Sequence, residues 1–489
     1  AYDRLGRVIT QSTTVSGRVE ASSLSYDAYG RIVTQTDALG NVTTYAYDDT
    51  NRSMTVTSQE GVSVTTTRNR HGETVTVSQA LPGGGTATTT TAYDKDGNVV
   101  SVTDALGRVT NNEYDTRGLL AATVDASGRR VEYRYDAAGR VLQRIEDPGA
   151  GKLNLTTTTA YDAQGRQLRV TDASGRVTTM AYDRKGNLTE TVRDPGGLNL
   201  RTTYTWDRDG RQLTVTEGAG SAAAMTTAYE YDALGRRTKE RRGSGSLNLD
   251  TIYTYDNNDN VISRTDGSGR VTRYAYDAAN RLRFTVDGLN GITEVAYDAA
   301  GRATMTRRYA KVGVGGLPAT PSEADLATHV QSQGYRNDAL DEVTYRVYDR
   351  DGRVRLSIDG TGGVRETVYD SAGRVLREVA YVKTLAMPAT QHDGLKAGTT
   401  TIASLELNNL ASANDAVVRH VYNAAGQRRY SVDATGAVSG VWYDAAGRVV
   451  ATRQHAQRIS LALVTDGITQ GQIEGAVGAG AATDAVMLY

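Results

Sequence analysis

The chain has 489 residues, a formal net charge of −1 and no cysteine. These figures exclude a basic nucleic-acid surface, a disulfide framework and thiolate-ligated zinc, and no apolar run reaches the roughly 18 residues a membrane-crossing helix needs. Tyr is used 29 times against one Phe and two Trp; that balance favours a large ring with a polar tip over a plain apolar core.

One phrase recurs along the chain: aromatic-Asp-x-x-Gly-Arg. It begins at Tyr2, Tyr26, Tyr47, Tyr93, Tyr114, Tyr135, Tyr161, Tyr182, Trp206, Tyr231, Tyr255, Tyr276, Tyr297, Tyr348, Tyr369, Tyr422 and Tyr443, with a worn copy at Arg68. Nine of the seventeen intervals are 21 residues and six are 24 to 26. A fixed period of this size marks a repeat architecture. The best-formed copies supply the candidate structural residues: Tyr26, Asp27, Gly30 and Arg31; Tyr135, Asp136, Gly139 and Arg140; Tyr161, Asp162, Gly165 and Arg166; Tyr231, Asp232, Gly235 and Arg236; Tyr369, Asp370, Gly373 and Arg374; Tyr443, Asp444, Gly447 and Arg448.

Each position carries a physical demand. The second is Asp in sixteen copies and Asn in two, Asn69 and Asn423. Both residues accept a hydrogen bond from a backbone N–H two residues on and so open a turn. The fifth is Gly in fifteen copies and otherwise Asn51, Asp259 or Asn280, the residues that most readily take positive φ. Together they predict a type I turn closed by a G1 bulge, a common hairpin connection. The sixth is Arg in twelve copies; it is placed to pair with the turn Asp, to lie on a neighbouring Tyr ring, or to be solvated.

A second turn lies about halfway between motifs, as in Asp37-Ala38-Leu39-Gly40, Asp125-Ala126-Ser127-Gly128 and Asp433-Ala434-Thr435-Gly436. A 21-residue unit therefore holds two turns and two strands rich in Thr, Val and Tyr, which suit a pleated surface. Eighteen units give about 36 strands. Longer units place extra residues at the second turn, as in Asp147–Leu155 and Asp194–Leu200, where Pro and Gly mark extended tips.

The pattern divides the chain into a regular array over 1–302 and an array with longer inserts over 303–489. The inserts span 303–347, 375–421 and 449–488. In the first, Thr320-Pro321-Ser322-Glu323 reads as a capping box with Pro at N1 and predicts a helix over 321–333, stopped by Gly334. The second predicts a helix near Ile402–Leu410. The strand-like Asp484–Tyr489 resembles Asp415–His420, which leads into a motif, so the chain is expected to be a window of a larger array.

Tyr-Asp-Ala-Ala-Gly-Arg (135–140) and Thr-Asp-Ala-Leu-Gly-Arg-Val-Thr (103–110) resemble the YD-repeat, or RHS, proteins. That family includes bacterial polymorphic toxins, the B and C subunits of Tc toxins, and teneurins. The resemblance covers nearly the whole chain. It implies an all-β fold, a tandem antiparallel hairpin array forming a long curved, spiralling sheet that walls a hollow shell. It also implies a structural role in a secreted or cell-surface bacterial protein that encapsulates a C-terminal toxin or other cargo. The implied partners are the rest of the array and an enclosed cargo domain. The second reading is an adhesive scaffold for glycans or a cell surface.

Catalysis finds no anchor. His71, His329, His392, His420 and His455 fall at different repeat positions, with no metal-ligand spacing. Asp359-Gly360-Thr361-Gly362 stands where an ordinary second turn belongs. No cofactor, metal or catalytic residue is expected, and the chain is read as non-enzymatic.

Overall fold

The structure is a computed structural model. It describes residues 1–488 apart from 16–17, 82–84, 371, 424–425, 445–447 and 479–483. Among these residues 36 strands, mostly five to seven residues long, join one antiparallel sheet. In each described pairing the partner is the next strand in the chain: Tyr133 lies opposite Arg144, and Arg144 opposite Thr157. The register slips just before the motif aromatic, as between Arg134 and Tyr135 or Thr205 and Trp206.

The turn chemistry sets this regularity. Gly139 N donates to Asp136 O (3.1 Å), and Asp136 N to Arg140 O (3.0 Å), closing the expected turn and bulge. Gly139 sits at φ +81°, and Asp259 and Asn280 hold the same place at φ 67° and 59°. The copy at Tyr47 departs from expectation. Its strand runs on to Asp48, paired with Ser53, and the left-handed residue is Arg52 (φ 51°) rather than Asn51. Asn51 N instead donates to Asp48 Oδ1 at 3.0 Å.

The chain forms two compact units: one of residues 1–110, 293–311 and 331–489, the other of 111–292 and 312–330. In the second unit the sheet face opposite the motif aromatics is wettable. Cross-strand hydroxyl pairs line it, including Thr205 with Thr214 (2.6 Å), Thr216 with Thr226 (2.8 Å) and Thr254 with Ser263 (2.6 Å). Apart from Ala122 and Ile145, the described buried apolar side chains begin only at Ala275.

The first unit contains both kinds of surface. Its early strands carry the same hydroxyl pairs, such as Thr55 with Thr65 (2.8 Å) and Ser78 with Thr88 (2.9 Å). In later strands the equivalent positions turn apolar and acquire cover. Ala296, Met305, Val343, Tyr345, Val347, Leu356, Ile358 and Val364 pack beneath Leu395, Leu405 and Leu410 of the second insert. Val421, Tyr430, Val432 and Val438 pack beneath Ile459, Ile468, Ile473 and Val477 of the third. The inserts thus occupy the hydroxyl-type face and supply the core it otherwise lacks.

Three helices stand in these inserts: α1 (Glu323–Ser332), α2 (Ala389–Ala397) and α3 (Gln470–Val477). Helix α1 falls within the expected span and Gly334 follows it at φ +58°, but its capping pair is Ser322 with Asp325. Ser322 N donates to Asp325 Oδ2 (2.8 Å), and Asp325 N to Ser322 Oγ (3.2 Å). The helix expected near Ile402–Leu410 is absent. Two single 3₁₀ turns, Ala403–Leu405 and Leu407–Asn409, stand there, split by Glu406 in the left-handed region. Leu405 and Leu410 both dock on the sheet, and that kink is how both reach it. The actual helix, α2, contains Gly394, a poor helix former, and its anchor is Leu395.

Within the first unit the chain also returns alongside itself. Ser58 Oγ donates to Asp351 Oδ2 (2.7 Å), Glu60 N to Asp351 Oδ1 (2.9 Å), and Gln79 Nε2 to Ala372 O (2.7 Å). The second turn at Ser58–Glu60 and the strand end at Gln79 therefore meet motif turns about 290 residues later. A hollow of about 430 Å³ lies at this seam, lined by Gln35, Asn41, Val62, Arg302 and Arg350 among others.

Candidate functional site

The repeated motif is the densest concentration of interactions in the chain. Its Asp is the hub. Asp136 Oδ1 accepts Ala138 N and Arg140 N, both at 2.9 Å, and Oδ2 accepts Arg140 Nε at 2.6 Å. Asp27, Asp162 and Asp232 repeat this geometry with Arg31, Arg166 and Arg236. So do Asp370 with Arg374 and Asp444 with Arg448. Gly447 lies outside the described residues. The Arg140 backbone N–H is the main influence holding the Asp136 carboxyl below its ordinary range; the Arg140 guanidinium and the Ala138 N–H add to it, against a rise from burial. Where Arg is replaced by Asn, the side-chain amide does the same work, as Asn187 Nδ2 to Asp183 Oδ2 at 2.8 Å.

The Arg reaches onward to the next copy. Arg140 Nη1 donates to Asp162 O (3.1 Å), and its guanidinium carbon stands 4.9 Å from the centre of the Tyr161 ring. Arg31 lies over Tyr47 at 4.2 Å, Arg166 over Tyr182 at 4.7 Å and Arg374 over Tyr422 at 4.5 Å. The sequence left three roles open for this Arg; the structure combines the first two, in cis with Asp and in trans with the next Tyr.

The aromatic reaches back. Tyr161 Oη donates to Val141 O (2.9 Å), Tyr135 Oη to Leu120 O (2.7 Å), Tyr26 Oη to Val8 O (2.7 Å) and Tyr231 Oη to Gln212 O (2.8 Å). Tyr369 and Tyr443 do the same toward Val354 and Arg428. The acceptor is always the residue after the previous motif. At the one Trp copy the indole Nε1 takes over, donating to Leu188 O at 2.7 Å. The need for a donor on a flat ring explains why Trp replaces Tyr here and Phe does not. Spacing alone did not reveal this bond; the scarcity of Phe was its only trace. A hollow of about 700 Å³ between two copies in the second unit is lined by Tyr135, Asp136, Arg140 and Tyr161, the staple itself.

A second device closes the inserts, all within the first unit. Asp341, Asp415 and Asp484 stand at the three insert exits. Each gives a carboxylate oxygen, at 2.9 Å, to the backbone N–H at the matching entry: Ala310, Val382 and Ala456. The residue before each entry amide is Tyr309, Tyr381 or His455. Tyr309 Oη donates to buried Glu294 (2.5 Å) and Tyr381 Oη to buried Glu366 (2.8 Å). In the third neck Gly440 replaces the Glu, Trp442 fills the space, and His455 Nδ1 lies 3.1 Å from Asp484 Oδ2. The motif reading missed these aspartates, though Asp-x-Val recurs at each exit as Asp341-Glu342-Val343, Asp415-Ala416-Val417 and Asp484-Ala485-Val486.

Two further histidines, His392 and His420, serve packing. His392 is buried with Nδ1 2.7 Å from Tyr345 Oη, and burial holds its pKa down. Buried His420 has Nδ1 2.9 Å from Ser431 Oγ, and burial lowers it too. Asp359 Oδ1 accepts Thr361 N, Thr361 Oγ1 and Gly363 N, the ordinary second-turn pattern. Among the described residues no group of three or more His, Cys, Asp or Glu could hold a metal ion. No helix there is long and apolar enough to cross a membrane.

The family model for the teneurin YD-shell matches residues 1–152, and that for the RHS repeat matches 161–199 and 255–288. Curated protein sequences give no match. Among solved structures, a crystal structure of TcdB2–TccC3 without its hypervariable C-terminal region aligns with a TM-score of 0.53 at 14% identity, over 98% of this chain and 25% of that one. The Tc holotoxin pore of Photorhabdus luminescens aligns at 13% identity with a TM-score of 0.32, over 89% of this chain and 27% of that one. This chain thus spans about a quarter of the length of the Tc chains it matches. The chain carries the teneurin YD-shell and RHS repeats over the residues these models match, and its single antiparallel hairpin sheet shares the fold of the TcdB2–TccC3 structure.

Proposed function

We propose that this chain is a wall segment of a YD/RHS shell that, in the complete bacterial protein, encloses a C-terminal toxin or other cargo for secretion and delivery. Its role is structural and not enzymatic, and its partners are the rest of its own array and the enclosed cargo. The observation that carries this reading is the division of labour between the two sheet faces. Hydrogen bonds and cation–π contacts that join the repeats lie on the motif face. The other face of the regular repeats is lined with paired hydroxyls and with ion pairs such as Arg130–Glu113 and Arg241–Asp250, and has almost no core of its own. A sheet held together from one side can present the other to an enclosed body without losing stability. The wettable surface does not compete for the cargo's apolar groups, so cargo is confined without being trapped.

Cryo-EM of the complete protein tests the reading, together with cross-linking mass spectrometry. The expected result is density from a separate segment against the hydroxyl face, with cross-links from cargo to strands such as Leu200–Trp206. A complete protein whose hydroxyl face is empty, with partners bound only at its turns, would favour an adhesive scaffold and overturn the proposal.

A further inference from the structure

An ordinary second turn of the first unit closes on its own carboxylate. Asp37 Oδ1 accepts Leu39 N and Asn41 N, both at 2.9 Å, and Asp104 Oδ1 accepts Leu106 N (2.9 Å) and Arg108 N (3.0 Å). At Ser58-Gln59-Glu60-Gly61 the opening residue is Ser, not Asp. The backbone turn is the same nonetheless: Gly61 N donates to Ser58 O (3.0 Å), Ser58 N to Val62 O (2.9 Å), and Gly61 sits at φ +83°.

The carboxylate that this turn lacks comes from Asp351. Its Oδ1 accepts Glu60 N at 2.9 Å, the amide two residues into the turn that a turn Asp would take itself. Its Oδ2 accepts the Ser58 hydroxyl at 2.7 Å, and that hydroxyl accepts Val62 N, four residues on, at 3.1 Å. Two side chains from distant repeats thus hold the two amides that one Asp holds elsewhere. A bond also runs the other way, from Arg350 N to Glu60 Oε1 at 3.1 Å. The Asp351 side chain is only 10% exposed, and Arg353 Nη2 stands 3.5 Å from it. Its own turn does not need it. Asp349 already holds that turn by accepting Asp351 N (3.0 Å) and Arg353 N (2.8 Å).

The fit is particular to one alignment. The motif turns before and after carry Ala300 and Ala372 at the place of Asp351, and neither side chain can accept a hydrogen bond. A slip of one repeat would leave Glu60 N facing one of these alanines. In one direction it would also set Asp351 against Asp37, whose two amides are already bonded and whose charge repels it. In the other it would face the turn opened by Leu81, which has no hydroxyl. Either slip strands a carboxylate and a backbone donor together.

We propose that Ser58 and Asp351 are the register key of the seam: Asp351 completes an early turn in trans, and only at the observed alignment, so the returning chain docks in one register. Asp351 is in this sense a positioning residue. The proposal stands apart from the cargo reading, since it concerns how the wall meets itself and not what the wall encloses.

Native-state hydrogen exchange of the 489-residue chain tests it with three variants. Asp351→Ala and Ser58→Asp each break the pair, the second by setting two carboxylates in contact. Each should speed exchange about tenfold on both sides of the seam, in strands Ser63–Arg68 and Val354–Asp359. Ser58→Asp/Asp351→Ser moves the carboxylate into the early turn and the hydroxyl into the returning one, and should recover most of the parent's protection. Independent sites would instead make the double variant worse than either single change. Cross-linking reads the register. The chain has no cysteine, so Thr43→Cys/Arg350→Cys gives a single reactive pair, both positions lining the seam hollow. A short bismaleimide should join them in the parent and swapped backgrounds. The yield should fall several-fold with Asp351→Ala, because a slip of one repeat is two strands, about 10 Å. An Asp351→Ala chain that exchanges or cross-links like the parent would overturn the proposal, and so would a swap that restores neither protection nor cross-link.

Discussion

Tyr161→Phe isolates the backward arm of the staple. The ring keeps its place under the Arg140 guanidinium, 4.9 Å from its centre, and only the Oη donation to Val141 O at 2.9 Å is lost. The site is half-buried, so a typical net hydrogen bond of about 1 kcal/mol is at stake. Tyr161→Leu removes that bond and the ring's stacking surface as well; the cation–π contact alone adds about 0.5–1 kcal/mol. In a repeat array stability is a sum of repeat and nearest-neighbour terms, so the loss appears first in the two repeats that share the contact. Native-state hydrogen exchange by mass spectrometry reads it directly. Amides of Val141–Glu146 and Leu155–Tyr161 should exchange about fivefold faster in the Phe variant, the factor that 1 kcal/mol implies. The Leu variant should exceed that by a further several-fold, while distant strands such as Val261–Thr265 hardly change. If the Phe variant exchanges like the parent, the phenol donor contributes nothing and the account of why the chain avoids Phe fails.

Other parts of the scheme are equally exposed to measurement. Gly139 stands at φ +81° with space for a Cβ, so Gly139→Ala should destabilise by about 1 kcal/mol, and Gly139→Asn by less, because Asn tolerates this conformation; urea titration of the pair checks the order. Asp415→Ala leaves the Val382 and Ser412 amides without their acceptor, at a cost of about 1–3 kcal/mol where such groups are buried; limited proteolysis should then cut selectively between residues 383 and 415. The turn carboxylates such as Asp136 and Asp207 are held below their ordinary range first by the N–H groups of Arg140 and Arg211. A depressed carboxylate stabilises the fold above its unfolded pKa and loses that stabilisation as pH falls through the folded one. The urea midpoint should therefore be level from pH 7 to about 5 and decline below about 4; a midpoint that rises on acidification would refute this account of the turns.

The repeat was legible in the sequence because its demands are local. An Asp that opens a turn and a Gly that closes it act within five residues, so period and substitution pattern predicted the hairpins and about the number of strands that the sheet contains. What a local rule could not supply is what one repeat does to the next. The Arg140 contact with Tyr161 and the Tyr161 bond to Val141 span 20 residues or more. The inserts were less legible still. Their backbone is shaped by docking: Leu395, Leu405 and Leu410 must all reach the sheet, and Glu406 takes a left-handed turn to allow it. Propensity favoured a helix where the anchors forbade one. The copy at Tyr47 shows the same limit at smaller scale, since Asn51 and Arg52 both follow a turn-opening Asp and only the structure says which of them takes the positive φ.

The inserts also clarify how one sheet can carry two surfaces. The face opposite the motif aromatics carries hydroxyl pairs and ion pairs, such as Arg130 with Glu113 and Arg241 with Asp250, through the regular repeats, then Tyr345 and Leu356 beneath the second insert. The motif face does not change across that boundary: Arg302 lies over Tyr348 at 4.4 Å much as Arg7 lies over Tyr26 at 4.5 Å. The interactions that join the repeats are therefore independent of what covers the opposite face. That independence lets an array replace open wall by a helical cover within a single repeat, at the small cost of one neck. Each neck needs only an exit aspartate to hold the entry amide and a buried side chain beside it. The third neck, where His455 and Gly440 stand in place of a Tyr–Glu pair, shows that even this side chain can be exchanged while the aspartate remains.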